Sequence, residues 1–250
     1  MVDDMNDRDL DLCVVAGRRP ELLRATLESF SELVFRNFRI ANVFINLDPI
    51  FGDADDEARC VRSIESHFPA AVILRPETPG FAPAVKRLWS NTKSGFVFHL
   101  EDDWMALQEI GQEALEPFAD SEVAQVSFHH ADKNWDIAKK GHLHQRNEYA
   151  RFLGMKIPLF KTFPKFTTSP SILRGDFARK AAALMDTNLD PEKQFYAGVN
   201  VELERFVSSR KNYIFSPDQT PVIRDTGRQW RDERKIEKVT RNTTSYWVTK

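Results

Sequence analysis

Phe96-Val97-Phe98-His99-Leu100 runs without a break into Glu101-Asp102-Asp103-Trp104. An apolar run that ends in three consecutive carboxylates reads as a buried strand delivering acid groups to a sheet edge. In open α/β sheets, ligands bind just outside the carboxyl ends of the strands. Three acids packed there repel one another and raise their own pKa values unless a cation or hydrogen-bond donors compensate them. A hard divalent ion carrying a diphosphate is the natural compensator, because Mg²⁺ and Mn²⁺ favour carboxylate and phosphate oxygens. A solvated acidic loop is the competing reading of the same residues.

Composition bounds what surrounds this stretch. The chain has 250 residues, 42% hydrophobic and 29% charged, which suits one sizeable domain or a domain with a smaller lobe. A net charge of −2 gives no overall pull towards nucleic acid or an anionic membrane, and no nucleic-acid partner is expected. The charge is uneven, however. Asp3, Asp4, Asp7, Asp9 and Asp11 against Arg8 make the first eleven residues −4, whereas eight Lys or Arg against four acids make the segment from Arg224 onwards +4. Cys13 and Cys60 are the only cysteines, so a disulfide framework is excluded and reduced thiols are the default. No run of about 18 apolar residues and no basic start followed by an apolar core occurs, so the expectation is a cytoplasmic chain without a transmembrane segment.

Outward from the acids, strand and helix patterns alternate. Leu10 to Ala16 is a short apolar run suited to a buried parallel strand. It breaks at Gly17-Arg18-Arg19-Pro20, and Pro20 fits the first turn of a helix whose Leu22, Leu23, Leu27 and Phe30 recur at helical spacing. Ile40 to Leu47 is a second strand, ended by Asp48-Pro49 and an acidic loop from Asp53 to Glu57. Cys60, Val61, Ile64 and Phe68 predict a second helix, Ala71 to Leu74 a third strand, and Gly80 to Trp89 a helix limited by Pro83. This order predicts βαβ units and a largely parallel sheet. Beyond the acids, Val123 to Phe128 reads as a strand ending at His129-His130, and Ala131 to Lys165 as irregular. Thr167 to Leu173 is strand-like, Asp176 to Met185 and Val199 to Val207 helical, and Tyr213 to Phe215 and Pro221 to Ile223 extended, before a basic, Trp-containing tail.

Together these pieces resemble a known family. Cys13-Val14-Val15-Ala16-Gly17-Arg18-Arg19-Pro20 with Thr26-Leu27-Glu28-Ser29 is similar to the opening of GT-A-fold glycosyltransferases of the family 2-like kind. Gly80 and Ala84-Val85-Lys86 fall where those enzymes carry a Gly and a basic residue before the metal strand. Leu100-Glu101-Asp102-Asp103 resembles their metal motif, most closely the Glu-Asp-Asp form of N-acetylglucosaminyltransferase-like members, and Val126 to Asp132 falls where those members have a strand and a polar loop. The likeness covers residues 10–130. It implies a GT-A-like, Rossmann-type α/β fold with a mixed, mainly parallel sheet in a single domain over residues 8–228. Residues 229–250 would then be a basic segment able to close over the site.

It also implies the chemistry. A sugar would pass from a nucleotide-sugar donor, a UDP-sugar by preference, to a hydroxyl on a glycan or other acceptor, with Mn²⁺ or Mg²⁺ as cofactor. Asp103 would be the direct metal ligand, with Glu101 and Asp102 facing the ribose or metal-bound water. Arg18 and Arg19 at the helix start, Asp48 after the second strand and Lys86 would meet the donor. Two of these have a plain structural alternative: Arg19 pairing with an acid such as Glu21, and Asp48 forming a turn before Pro. Asp225 stands in Val222-Ile223-Arg224-Asp225-Thr226-Gly227-Arg228 where members of the fold often place a His, and Arg224, Arg228 and Arg231 are candidates for the phosphates. The weakest match is the catalytic base. Asn200 falls where the inverting members carry an Asp, and an amide cannot take a proton; Glu202 and Asp190 are the substitutes. A non-catalytic binding protein on the same fold is the main alternative. A sugar nucleotidyltransferase is disfavoured because Ala16 to Pro20 holds one Gly and a Pro where a triphosphate-cradling loop needs free backbone N–H groups.

Overall fold

The computed structural model describes residues 8–128, 136–152, 155–241 and 244–249. His129 and His130, at the end of the expected Val123–Phe128 strand, lie outside them.

The first strand, β1 (Leu10–Ala16), is buried along its whole length and alternates between two cores. Leu10, Leu12, Val14 and Ala16 face one layer, and Cys13 and Val15 the other. The chain turns at Gly17 into α1 (Pro20–Leu33), with Pro20 in the first turn, where its missing N–H costs nothing. Then follow β2 (Ile40–Leu47), α2 (Ala54–His67), β3 (Val72–Leu74), α3 (Phe81–Asn91) and β4 (Phe96–Glu101). Strands β1, β2, β3 and β4 are mutually parallel, with β1 between β2 and β4. The acids from Asp53 to Glu57, expected as a loop, instead begin α2. Asp53 accepts from the backbone N–H groups of Asp55 and Asp56 in a capping box, and acids in a first turn oppose the positive end of the helix dipole.

After β4 come the short β5 (Trp104–Ala106), β6 (Val123–Ser127), the single-turn α4 (Ile137–Lys140), and a hairpin of β7 (Gln145–Phe152) and β8 (Met155–Pro164). The hairpin corrects the irregular reading of residues 131–165: Gln145 pairs with Pro164 and Phe152 with Met155. The chain continues through β9 (Ser171–Arg174), α5 (Gly175–Leu184), α6 (Val201–Val207), β10 (Lys211–Ile214), β11 (Ile223–Asp225), α7 (Gly227–Glu233), β12 (Ile236–Arg241) and β13 (Thr244–Thr249). The expected basic tail is therefore a helix followed by an antiparallel β12–β13 hairpin.

The main sheet has seven strands in the order β10-β6-β9-β4-β1-β2-β3, and only β9 runs against its neighbours. Leu23, Leu27, Phe30, Cys60 and Ile64 of α1 and α2 cover one face; Val85, Leu88, Trp89, Phe177, Ala181 and Leu203 of α3, α5 and α6 cover the other. This is the mixed, mainly parallel α/β sheet expected from the sequence. His99, in the middle of β4, is fully buried and accepts a hydrogen bond on Nδ1 from Trp89 Nε1 at 3.2 Å. Burial lowers its pKa to about 4, so it stays a neutral core residue. Among the described residues, no helix is long and apolar enough to cross a membrane.

Candidate functional site

Strand β4 lies beside β1 in register, Val15 opposite Glu101, and the Asp102 N–H donates to the Val15 carbonyl at 3.0 Å. The acids therefore leave the sheet next to the Gly17 turn. Asp102 turns inward. Its Oδ2 accepts from the Gly17 N–H at 2.9 Å and from Arg19 Nε at 3.2 Å, and its Oδ1 accepts from Arg19 Nη2. The Thr26 hydroxyl donates to its carbonyl at 2.9 Å. The residue is 1% exposed, and its carboxylate is the counter-ion that lets an arginine be buried at the start of α1. Burial by itself lowers the Arg19 pKa, but Asp102 and Asp103 outweigh it and raise the group further above the ordinary arginine range.

Asp103 occupies a different environment. Its backbone carbonyl accepts from both the N–H and the hydroxyl of Thr226, each at 2.8 Å, because β5 and β11 pair antiparallel with Trp104 opposite Asp225. Its Oδ2 faces two guanidiniums, Arg19 Nη1 at 3.2 Å and Arg231 Nη1 at 3.6 Å. Burial pushes the Asp103 pKa up to about 6, with Asp102 and Asp225 adding to the rise and Arg19 and Arg231 opposing it. Glu101 accepts from Trp104 Nε1 at 2.9 Å. Asp48, buried at the end of β2, accepts on Oδ1 from Asn46 Nδ2 at 2.7 Å and on Oδ2 from the Gly80 N–H at 3.0 Å. Arg87 in turn donates to Asn46 Oδ1. Burial raises the Asp48 pKa against these donors.

An aromatic clasp closes the cluster. Arg19 lies 5.1 Å from the Phe51 ring and 5.3 Å from the Trp230 ring, and those two rings meet edge to face at 5.5 Å. Phe51 holds a φ of 72°, a left-handed conformation that costs a non-glycine residue energy. Gly227 sits against the acid: a Cβ there would fall 2.0 Å from Asp103 Oδ2. Phe51, Thr226, Gly227 and Trp230 were not singled out from the sequence as site residues. They lie on separate segments, and only the fold brings them to the acids.

The remaining candidates divide. Asp225 is the charge neighbour of Asp103 and accepts on Oδ1 from the Arg228 N–H at 3.2 Å. The Arg228 side chain is exposed, as is that of Arg224, and Arg231 is the arginine of that segment that reaches Asp103. Arg18 pairs with Glu57 of α2 at 2.5 Å. Glu21, the alternative partner for Arg19, pairs instead with Arg59. The Lys86 ammonium donates to the Met185 carbonyl at 2.7 Å, tying α3 to the end of α5. Asp190 Oδ1 accepts from the N–H groups of Glu192 and Lys193 at 3.1 and 3.2 Å. Glu202 is exposed in the first turn of α6, whereas Glu204 is paired with Arg146 at 2.7 Å.

Asn200 is the N-cap of α6. Its Oδ1 accepts from the Leu203 N–H at 3.1 Å, and its Nδ2 donates to the Leu184 carbonyl at 2.9 Å and to Gln194 Oε1 at 3.0 Å. Only an amide serves all three. Asn200→Asp keeps the cap but turns a carboxylate on two acceptor oxygens, so we expect a loss of about 1–3 kcal/mol in urea unfolding and no gain in any turnover. Unchanged stability would show that the amide is not held as described.

Among the described residues, no group of three or more His, Cys, Asp or Glu side chains is arranged to hold a metal ion. Asp103 and Asp225, brought near each other by the β5–β11 pairing, are two hard oxygen donors of the kind a divalent ion takes together with phosphates and water.

No family model matches this sequence, and no curated protein sequence matches it. Solved structures do. A mannosyltransferase from Pyrobaculum calidifontis, in complex with GDP-Man and Mn²⁺, superposes with a TM-score of 0.56 at 13% identity, over 91% of this chain and 61% of that one. Residues 1–349 of S. aureus TarS, in complex with UDP, superpose with a TM-score of 0.52 at 12% identity, over 84% of this chain and 58% of that one. The chain thus spans about three fifths of the length of these structures. The fold is a glycosyltransferase fold of the kind the mannosyltransferase carries.

Proposed function

We propose that the chain is a metal-dependent glycosyltransferase that moves a sugar from a nucleotide-sugar donor, a UDP-sugar by preference, to a hydroxyl acceptor. The observation that carries this reading is the β5–β11 pairing, which sets Asp225 opposite Trp104 and so near Asp103 beyond the carboxyl end of β4, on a glycosyltransferase fold. One similar protein was solved with GDP-Man and Mn²⁺ and another with UDP, which supports a nucleotide donor and a divalent ion. Asp103 and Asp225 would hold Mn²⁺ or Mg²⁺. When bound, that ion supplies Lewis-acid neutralisation of the charge that grows on the departing β-phosphate.

The protein's own groups do the rest. Asp102 fixes both Arg19 and the Gly17 turn, and Arg19 in turn sets where the Asp103 carboxylate points. Asp48, oriented by Asn46 of β2 and by Gly80 at the start of α3, accepts a hydrogen bond from the base or ribose. Exposed Arg228 supplies positive charge at the rim, Arg18 would meet the donor only by leaving Glu57, and Lys86 acts through the α3–α5 packing. Glu202 is the better candidate to take the acceptor proton, because it is exposed, whereas Asp190 caps a turn. The full structural engagement of Asn200 favours the second reading, a non-catalytic nucleotide-sugar-binding protein.

Donor binding and hydrolysis over UDP-, GDP-, CMP- and dTDP-sugars, with Mn²⁺ or with EDTA, tests this without knowledge of the acceptor. We expect one donor class to release nucleotide only with metal, and Asp103→Ala to lower that release at least ~100-fold. Donor binding without hydrolysis would support the binding protein, and no binding of any donor would end the donor-site reading.

A further inference from the structure

Asp48 ends β2 beside the Gly17 turn: its N–H donates to the Ala16 carbonyl at 2.8 Å, and the charge of Asp102 acts on it. Behind it, Asn46 is fully buried two residues back on β2. Its Nδ2 donates to Asp48 Oδ1 at 2.7 Å, and its Oδ1 accepts from Arg87 Nη1 of α3. A guanidinium has no acceptor, so Arg87 decides which end of the amide faces which neighbour: oxygen to Arg87, N–H groups to Asp48. The same helix supplies the second hold, because the N–H of its N-cap Gly80 donates to Asp48 Oδ2 at 3.0 Å. An arginine set directly on Asp48 would fork onto both oxygens, as Arg19 does on Asp102. The interposed amide takes one position instead. Asn46 and Gly80 occupy one acceptor position on each oxygen, and a carboxylate oxygen has two.

Resting on the donor-site reading above, we propose that Arg87 and Asn46 are positioning residues for the nucleobase. Together they hold Asp48 as a group that only accepts hydrogen bonds, with its remaining positions turned to the base edge. A base with a ring N–H, such as uracil or guanine, fills one of those positions. Cytosine turns a ring-nitrogen lone pair to the same carboxylate, and two acceptors cannot satisfy each other. The relay therefore acts on which nucleotide is held and leaves the diphosphate end of the site untouched.

Calorimetric titration of UDP, GDP, CDP and pyrophosphate, with Mn²⁺ present, tests this on wild type, Arg87→Met, Arg87→Lys, Asn46→Asp and Asp48→Asn. In wild type we expect UDP or GDP to bind at least ~tenfold tighter than CDP. Arg87→Met releases the amide, and Asn46→Asp turns an acceptor on Asp48. Each should bring that preference below about threefold and leave pyrophosphate binding unchanged. Arg87→Lys, which still donates to the amide oxygen, should keep the preference, and circular dichroism checks that each variant is folded. A folded Arg87→Met or Asn46→Asp with the wild-type preference overturns the relay; loss of the preference in Asp48→Asn then leaves base reading by Asp48 standing. Equal weakening of all four ligands marks a purely structural role and also overturns the relay. Wild type that binds the three nucleotides alike overturns base reading by Asp48 and the relay together, with the donor site intact. No binding of any nucleotide overturns the donor site as well.

Discussion

Asp102→Asn is expected to lower the unfolding free energy by about 3–5 kcal/mol, the range for removing one partner of a buried ion pair. The reason is local and complete. Asp102 takes a backbone N–H from Gly17 and two guanidinium N–H groups from Arg19, all beneath the protein surface. An amide turns one acceptor into a donor aimed at a donor, and leaves the Arg19 charge buried without its counter-ion. For a chain of this size the loss corresponds to a fall of roughly 6–20 °C in the thermal midpoint. Asp103→Asn should do the opposite. Its carboxyl pKa is raised from 3.8 to about 6, so the folded protein prefers the protonated form. That preference stabilises below the unfolded value and is lost as pH rises through about 6, leaving an ionised Asp103 at pH 7 as a burden on the fold. A neutral isostere removes the burden, so the midpoint should hold or rise at pH 7 while donor binding disappears. Thermal unfolding followed by circular dichroism separates the two. Equal destabilisation by both substitutions would show that the adjacent acids do not have separate roles.

This contrast marks how far the sequence could be read. Strands β1, β2 and β4 were legible because β1, the second half of β2 and most of β4 are buried on both faces and so appear as largely apolar runs with Gly or Pro near their ends. That Glu101-Asp102-Asp103 ends a strand was equally plain. Which acid turns inward was not, because the division depends on Arg19, more than eighty residues away, and on a β5–β11 pairing of three residues. The β7–β8 hairpin escaped because its residues show no clean period. Asn200 was noticed as the wrong residue for a base. That it is instead the right residue for a cap depends on Leu184 and Gln194, contacts that spacing does not reveal. Asp225-Thr226-Gly227 leads into α7 with Thr226 at its N-cap, and that Asp225 comes to lie near Asp103 depends on the β5–β11 pairing, which spacing does not reveal.

Gly227→Ala carries the other large effect, and it acts on the site more than on the fold. A Cβ at 227 would lie 2.0 Å from Asp103 Oδ2, 2.6 Å from its Cγ and 2.9 Å from Arg231 Nη1. None of these separations is tolerable between non-bonded atoms, so either Asp103 rotates away or α7 lifts from the β4 end. Lifting α7 would pull Trp230 from Arg19 and Phe51, and release the hydrogen bonds of Thr226 to the Asp103 carbonyl. Overpacking of this kind costs about 1–3 kcal/mol. The larger consequence is for ligand. Whichever way the clash resolves, Asp103 loses its position relative to Asp225, and metal-dependent donor binding should fall at least ~30-fold. Gly141→Ala is the matched control. Gly141 has a φ of 71°, so a side chain there is strained, but a Cβ would meet nothing within 4 Å. It should cost about 1 kcal/mol of stability and leave donor affinity unchanged. Calorimetric titration of donor with Mn²⁺ reads both variants. Full donor affinity in Gly227→Ala would mean that α7 does not wall the carboxylate, and the geometry that links the end of the chain to the β4 acids would have to be abandoned.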